Sequence, residues 1–170
     1  PYLRHVGPAA APFNAWVVVK GLETLSLRVR EQSRNAAILA ERLESLPNVT
    51  RVAYPGLASH PGHAVAKAQM QDGLYGSVLS VEVAGGRPAA FAFLNALQII
   101  DLSNNLGDAK SLSCHPCTTT HRVLTPEARE AAGITEGLVR VSVGLEHLED
   151  LWRDLERAAS AAQTPDRAAA

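Results

Sequence analysis

The longest regular pattern in the chain is a helical repeat of apolar residues between Pro12 and Leu46. Apolar residues recur there at steps of three and four, as expected for one face of an α-helix. Pro12 suits a first helical turn, and Pro47-Asn48 ends the pattern. Gly21 weakens the middle by up to ~1 kcal/mol relative to alanine, so two helices that meet at Gly21 are an alternative.

Strand and helix patterns alternate along the rest of the chain. Strands are predicted at Val49–Tyr54, Ser77–Val83, Ser111–Ser113 and Leu138–Val143, with a short β-like run at Ile99–Leu102. Helices are predicted at Gly62–Met70, Pro88–Leu97, Pro126–Ala132 with Thr125 as N-cap, and His147–Ala159. Strands separated by helices, with no internal repeat, predict a sheet of three to five strands covered by helices, in the α/β or α+β class.

Composition limits the classes of function. The chain has 170 residues, 46% of them hydrophobic, and a net charge of -1, which suits one domain with a buried core. A balanced charge argues against a nucleic-acid partner, and no run approaches the ~18 apolar residues of a membrane span. The N-terminal residues lack the apolar region of a signal peptide, and two cysteines make no disulfide framework. A cytoplasmic protein is therefore expected.

Arg140 lies in the middle of the most regular predicted strand. Side chains alternate along a strand, so Val139, Val141 and Val143 share one face, and Leu138, Arg140 and Ser142 share the other. A guanidinium in that position either reaches solvent or faces an anion. Its planar fork suits a carboxylate in two parallel hydrogen bonds. The residues alone leave both possibilities open.

The segment Ser103–Ser111 is dense in hydrogen-bonding side chains. Its Asn, Gly and Asp residues are typical of an ordinary turn. Functional residues nevertheless favour loops that strands fix on both sides, so a binding loop is the alternative.

The cysteines form a C-x-x-C spacing at Cys114 and Cys117, with His115 between them and His121 close behind. That spacing occurs in redox and zinc sites. Thioredoxin-like chemistry needs the pair to open a helix, whereas Pro116 and three threonines stand here. A structural zinc site normally has four ligands, and Cys114 and His115 are too close in sequence to serve together readily. A thiol or zinc module remains an alternative, as does a stand-alone interaction domain.

Several phrases, taken in order, carry a resemblance to one known family. They are Pro12-Phe13-Asn14-Ala15-Trp16, Tyr54-Pro55-Gly56-Leu57, Ser59-His60-Pro61, His115-Pro116 before Thr118-Thr119-Thr120-His121, and Leu138-Val139-Arg140-Val141-Ser142-Val143-Gly144-Leu145-Glu146. Together they resemble the small C-terminal domain of the Cys/Met-metabolism enzymes that depend on pyridoxal phosphate (PLP). The resemblance covers about residues 2 to 158. It divides the chain into a linker over 1–11 and the small domain over 12–160. Residues 161–170 are rich in alanine and contain one proline, so a disordered tail is expected there.

The resemblance implies a fold and a division of labour. The fold expected is the small C-terminal domain of aspartate-aminotransferase-like (fold type I) PLP enzymes, a mostly antiparallel sheet covered by helices. PLP belongs to a large domain that precedes such a segment and carries the Schiff-base lysine. Nothing around Lys110 matches that lysine's motif, so we expect no catalytic, cofactor-binding or metal-binding residue in this chain. The parent protein is expected to pair this segment with its own large domain, as a homotetramer.

The resemblance also assigns substrate-binding residues and a reaction. It implies that Arg140 binds the substrate carboxylate and that Ser111 and Asn105 help to hold it. The run from Asn105 to Leu112 is similar to the sulfhydrylases, which implies replacement of the γ-acyl group of O-succinylhomoserine by sulfide, giving homocysteine for methionine biosynthesis. O-acetylhomoserine sulfhydrylase and the cystathionine γ-synthases and γ-lyases of trans-sulfuration are the alternatives. The segment alone is predicted to be inactive.

Overall fold

The structure, a computed structural model, describes residues 11–163. Its helices are α1 (Pro12–Glu23), α2 (Leu25–Glu44), α3 (His63–Gln69), α4 (Gly86–Ala96), α5 (Pro126–Ala131) and α6 (Leu148–Ala162). Its strands are β1 (Val49–Ala53), β2 (Val78–Val83), β3 (Asp101–Leu102), β4 (Leu112–Cys114) and β5 (Leu138–Ser142). Every predicted helix and strand is present, with ends that differ by up to three residues, apart from the long first helix. No helix within residues 11–163 is long and apolar enough to cross a membrane.

The long helical pattern divides at Thr24 instead of Gly21. Thr24 has φ of -108° and ψ of 5°, which is outside helical geometry, while Gly21 lies inside α1 with open space around it. The two helices differ in burial. Helix α1 buries no residue. Helix α2 buries seven residues, which are Gln32, Ser33, Asn35, Ala36, Leu39, Ala40 and Leu43. The apolar pattern was continuous because both helices carry apolar residues, although only α2 packs on the sheet.

The sheet has five strands in the order β1-β2-β5-β4-β3. All neighbours are antiparallel except β3 and β4, which run parallel. Val139 and Val141 of β5 are completely buried, together with Val81 of β2. A mostly antiparallel sheet covered by helices is therefore confirmed.

Helices α2, α4 and α6 complete the core on the buried face of the sheet. Helix α6 extends to Ala162, so the prediction that a disordered tail begins at residue 161 is wrong at its first two positions. The reason is local burial: Ala159 and Ala162 are buried, and the Asn48 side chain donates to the Ala159 carbonyl oxygen. Residues 1–10 of the predicted linker and 164–170 of the predicted tail lie outside the described residues.

Asp154 of α6 fixes the chain where it enters β3. Its carboxylate is fully buried and accepts hydrogen bonds from the backbone N–H groups of Gln98 (2.8 Å), Ile99 (3.0 Å) and Ile100 (3.0 Å). Arg157 supplies the balancing charge from one helical turn further along. Three backbone donors are thus satisfied by a single side chain, which sets where the following loop begins.

Candidate functional site

Arg140 extends from the face of β5 opposite the helices. In the register it lies between Ser80 of β2 and Cys114 of β4. Its Nη2 donates to the backbone carbonyl oxygens of Asn104 at 2.8 Å and Asn105 at 3.0 Å. The side chain therefore does not extend freely into solvent. It is half-buried and holds the loop that precedes β4.

The charge of Arg140 has no counter-ion within residues 11–163, because no salt bridge there includes it. The two carbonyl groups are neutral acceptors. Its Nε is buried and has no hydrogen-bond partner. A half-buried guanidinium with an unused donor and an uncompensated charge is suited to bind an anion, and a carboxylate matches its geometry.

The loop over residues 103–111 is held at several points. The Gly107 amide donates to Ser142 Oγ at 2.9 Å, and the Leu145 amide donates to the Ala109 carbonyl oxygen at 2.8 Å. Gln32 of α2 donates through Nε2 to the Asp108 carbonyl oxygen at 2.6 Å. Residues 104–110 are exposed, yet their backbone is anchored from both sides. This arrangement fits the binding-loop interpretation better than that of an ordinary turn.

Ser111 stands at the end of this loop and is fully buried. Its Oγ donates to Glu146 Oε2 at 2.8 Å and accepts from the Gly144 amide at 2.8 Å. Its own amide donates to Glu146 Oε1 at 2.6 Å. The structure thus brings Arg140 and Asn105 together, while both donors of Ser111 are used by Glu146. The contact from Ser111 to a substrate that the resemblance implies stays a prediction.

Two open grooves border the loop and Arg140. One, of about 400 Å³, is lined by Phe91, Leu102, Asn104 and Thr118 among others. The other, of about 430 Å³, is lined by residues that include Arg140 and His121. The space around the guanidinium is therefore accessible to a small molecule.

No lysine lines either groove. Lys110 Nζ pairs with Asp101, whose hydrogen bond raises the lysine's pKa. Lys20 Nζ pairs with Glu23 at 2.8 Å on the exposed side of α1. An amine that forms an imine must reach a cavity, and neither of these amines lines a groove. The residues that line the two grooves consequently do not fit a covalently held aldehyde cofactor.

The C-x-x-C segment is a packing feature in this structure. Cys117 Sγ donates to Glu136 Oε1 at 3.1 Å, and burial is the main reason that the pKa of the Cys117 thiol is raised. A hydrogen bond from Arg87 lowers the pKa of Glu136 to about 2, so Glu136 is a carboxylate when it accepts the hydrogen bond from the Cys117 thiol. Within residues 11–163 there is no group of three or more His, Cys, Asp or Glu side chains able to hold a metal ion.

His115 is likewise committed to the fold. One ring nitrogen contacts Thr118 Oγ1 at 2.9 Å and the other contacts the Glu136 carbonyl oxygen at 3.0 Å. The ring also packs edge-on against Phe91 at 5.3 Å between centroids. With both nitrogens occupied, His115 has no free position for a metal. The geometry thus disfavours the thiol or zinc module.

Two residues that shape the site were not predicted. Glu146 ends the strand motif that carries Arg140, and Gln32 lies on the buried stripe of α2. A signal for Gln32 exists in the sequence, since it stands four residues before Ala36 on the same helical face. A polar residue on such a stripe usually finds a buried partner. No local signal identifies the partner of Glu146.

Comparison with known proteins shows what the chain is similar to. The family model described as Cys/Met metabolism PLP-dependent enzyme matches residues 2–160. O-succinylhomoserine sulfhydrylase of Pseudomonas aeruginosa is 49% identical over 94% of this chain, which spans 39% of that protein. O-acetyl-L-homoserine sulfhydrylase of Leptospira meyeri is 46% identical over 92% of this chain and 35% of its own length.

A solved structure, the yeast cystathionine γ-lyase, has the same fold. It superimposes with a TM-score of 0.89 at 39% sequence identity, over 94% of this chain and 41% of the yeast chain. The chain thus spans about two fifths of the length of the proteins that it matches.

Proposed function

We propose a role for this chain from one premise: it belongs to the family of Cys/Met metabolism PLP-dependent enzymes. Its fold is that of the C-terminal part of PLP fold type I enzymes. We propose that the chain is the substrate-carboxylate side of a longer enzyme, in which its own large domain holds PLP. This division is consistent with the partial coverage of the relatives and with grooves that contain no lysine.

One observation carries the proposal: Arg140 combines an uncompensated charge, an unpartnered Nε and a fixed position beside Asn105. An amino-acid substrate presents a carboxylate that must be held so that its Cα keeps one orientation. A guanidinium anchored on two backbone carbonyls has a fixed position from which it can orient that carboxylate. We propose that Arg140 binds the substrate carboxylate and that the Asn105 carbonyl oxygen holds Arg140 in position. We propose that Ser111 acts indirectly, by fixing the end of the loop.

The reaction that we propose is γ-replacement on a homoserine ester. The bond between Cγ and the acyl oxygen breaks, succinate leaves, and the sulfur of sulfide forms the new bond to Cγ, which yields homocysteine. The run Asn105–Leu112 and the similarity to an O-succinylhomoserine sulfhydrylase support this choice. We further propose a cytoplasmic homotetramer for the whole protein.

A substrate comparison with the full-length protein tests the proposal. O-succinylhomoserine and O-acetylhomoserine are each supplied with sulfide, and homocysteine is measured. Cystathionine is supplied alone, and cysteine and 2-oxobutanoate are measured. The proposal expects homocysteine chiefly from the succinyl ester. Greater turnover of the acetyl ester would assign the second substrate, and turnover of cystathionine alone would assign a lyase. This chain without the rest of the protein is expected to give no product. Turnover by the chain alone would contradict the proposal that the large domain holds PLP.

A further inference from the structure

Glu146 holds the last residue of the loop that contacts Arg140. Its two carboxylate oxygens accept from the Ser111 amide at 2.6 Å and from Ser111 Oγ at 2.8 Å. Ser111 is fully buried, so both of these donors are out of reach of solvent. Without Glu146 they would remain unpaired, and the backbone would have to move to satisfy them.

Gly144 brings the loop close enough for this contact. A β-carbon at Gly144 would lie 2.5 Å from both the Lys110 carbonyl carbon and the Ser111 nitrogen, so the loop backbone rests directly on this glycine. The Gly144 amide donates to Ser111 Oγ at 2.8 Å, and the Leu145 amide donates to the Ala109 carbonyl oxygen at 2.8 Å. The end of β5 and the end of the loop are therefore joined as one unit.

The same strand carries Arg140 four residues before Gly144, and the same loop supplies the Asn105 carbonyl oxygen that Arg140 contacts. Between these two contacts the loop is held at Gly107 by Ser142 Oγ, at Asp108 by Gln32 and at Ala109 by the Leu145 amide, and Ser111 is the last of these anchors. The orientation of the guanidinium depends on where that carbonyl lies.

We propose that Glu146 is a positioning residue for substrate-carboxylate binding, acting through Ser111 and the loop on Arg140. The inference rests on the proposed role of Arg140. Glu146 itself does not touch the substrate. Its removal should weaken the binding of the amino-acid substrate and leave the chemical step nearly unchanged.

The test uses the full-length, PLP-loaded protein with Glu146→Gln, which keeps the shape of the side chain but replaces one acceptor with a donor. We expect KM for the homoserine ester to rise at least tenfold while kcat stays within about threefold. Hydrogen exchange of a peptide covering residues 104–111 should accelerate at least tenfold, while a peptide from α6 exchanges as before. An unchanged KM, or unchanged exchange in the loop, overturns the inference.

Glu149→Gln is the matched control. Glu149 lies three residues further along and pairs with Arg42 at 2.8 Å, away from the loop. It should leave KM and loop exchange unchanged, and an equal effect of both variants would overturn the specific role of Glu146.

Ser111→Ala keeps the test decisive if the Glu146 variant does not fold. It removes the hydroxyl through which Glu146 acts, so KM should rise in the same direction, and an unchanged KM overturns the inference. Where both variants fold, the double variant should be less impaired than the product of the single effects predicts.

If Arg140→Ala also leaves KM unchanged, the proposed function fails. If only Arg140→Ala raises KM, the role of Glu146 alone fails.

Discussion

Arg140 and Asn105 are 35 residues apart in sequence and are joined by a hydrogen bond of 3.0 Å from the guanidinium to a backbone carbonyl oxygen. The bond connects the centre of the sheet to a loop whose side chains are exposed. It uses one terminal nitrogen of the arginine and leaves its charge uncompensated within the described residues. The sheet thus holds the backbone of Arg140, and the loop fixes the orientation of its guanidinium group.

Asp154→Ala should strongly destabilise the protein. The carboxylate is fully buried, and its loss would leave the amides of Gln98, Ile99 and Ile100 without an acceptor. We expect the free energy of unfolding to fall by about 3 kcal/mol or more, measured by urea denaturation. Asp150→Ala, at a position where the side chain is 53% exposed, is the control and should change it by less than about 0.5 kcal/mol. Equal effects would contradict the anchoring role.

Two glycine substitutions should act in opposite directions. Gly144→Ala places a β-carbon 2.5 Å from the loop backbone, which is expected to lower the free energy of unfolding by about 1–3 kcal/mol. Gly21→Ala adds a β-carbon with nothing within 4 Å, inside α1, and should raise it by up to about 1 kcal/mol. Denaturant titration of both variants measures the difference. A stabilising Gly144→Ala would show that the loop does not rest on this glycine.

The pH dependence of stability should change with Glu136. Its pKa is lowered from 4.5 to about 2 by the hydrogen bond from Arg87 and then by that from Cys117. A carboxyl group with a lowered folded-state pKa contributes stability above about pH 4.5, and this contribution is lost as pH falls towards 2. In Glu136→Gln the slope of unfolding free energy against pH over this interval should be smaller than in the parent. Because the side chain is 45% exposed, high salt should reduce the difference. Identical slopes at low salt would contradict the assigned pairing.

The Cys117 thiol should react slowly in the folded protein. Burial raises the pKa of this thiol, and the thiol donates a hydrogen bond to Glu136, so little thiolate forms at neutral pH. Iodoacetamide at pH 8 should label it at least ten times faster in urea than in buffer, as followed by mass spectrometry of the peptide. Cys117→Ser separates its signal from that of Cys114, which is also buried. Rapid labelling of the folded protein, or stoichiometric zinc by elemental analysis, would restore the thiol or zinc alternative.

Local periodicity was sufficient for much of the fold. The alternation along β5 predicted that Val139 and Val141 share one face and that Arg140 lies on the other, because strand geometry has a period of two wherever the strand lies. Thr125 was predicted as an N-cap, and its side chain accepts from the Ala128 amide at 3.3 Å, since capping involves only neighbouring residues.

Features that depend on distant contacts were not predictable in the same way. The end of α6 at Ala162 depends on packing and on Asn48, more than a hundred positions earlier. The burial of Ser111 depends on Glu146, which lies 35 residues away. The motif that contains Arg140 also contains Glu146, but nothing in the sequence indicated that Glu146 binds Ser111. The resemblance supplied Arg140, Asn105 and Ser111 as candidates, and all three stay predictions.

The central claim, that Arg140 binds the substrate carboxylate, is tested most directly by steady-state kinetics of Arg140→Ala in the full-length protein. Loss of a charged hydrogen-bonding partner costs roughly 1.5–3 kcal/mol, so KM for the homoserine ester should rise roughly 10- to 150-fold. Arg153→Ala is the control, because Arg153 is 72% exposed on α6, and its KM should match that of the parent. A KM for Arg140→Ala within twofold of the parent value would remove Arg140 from the substrate site and contradict the account.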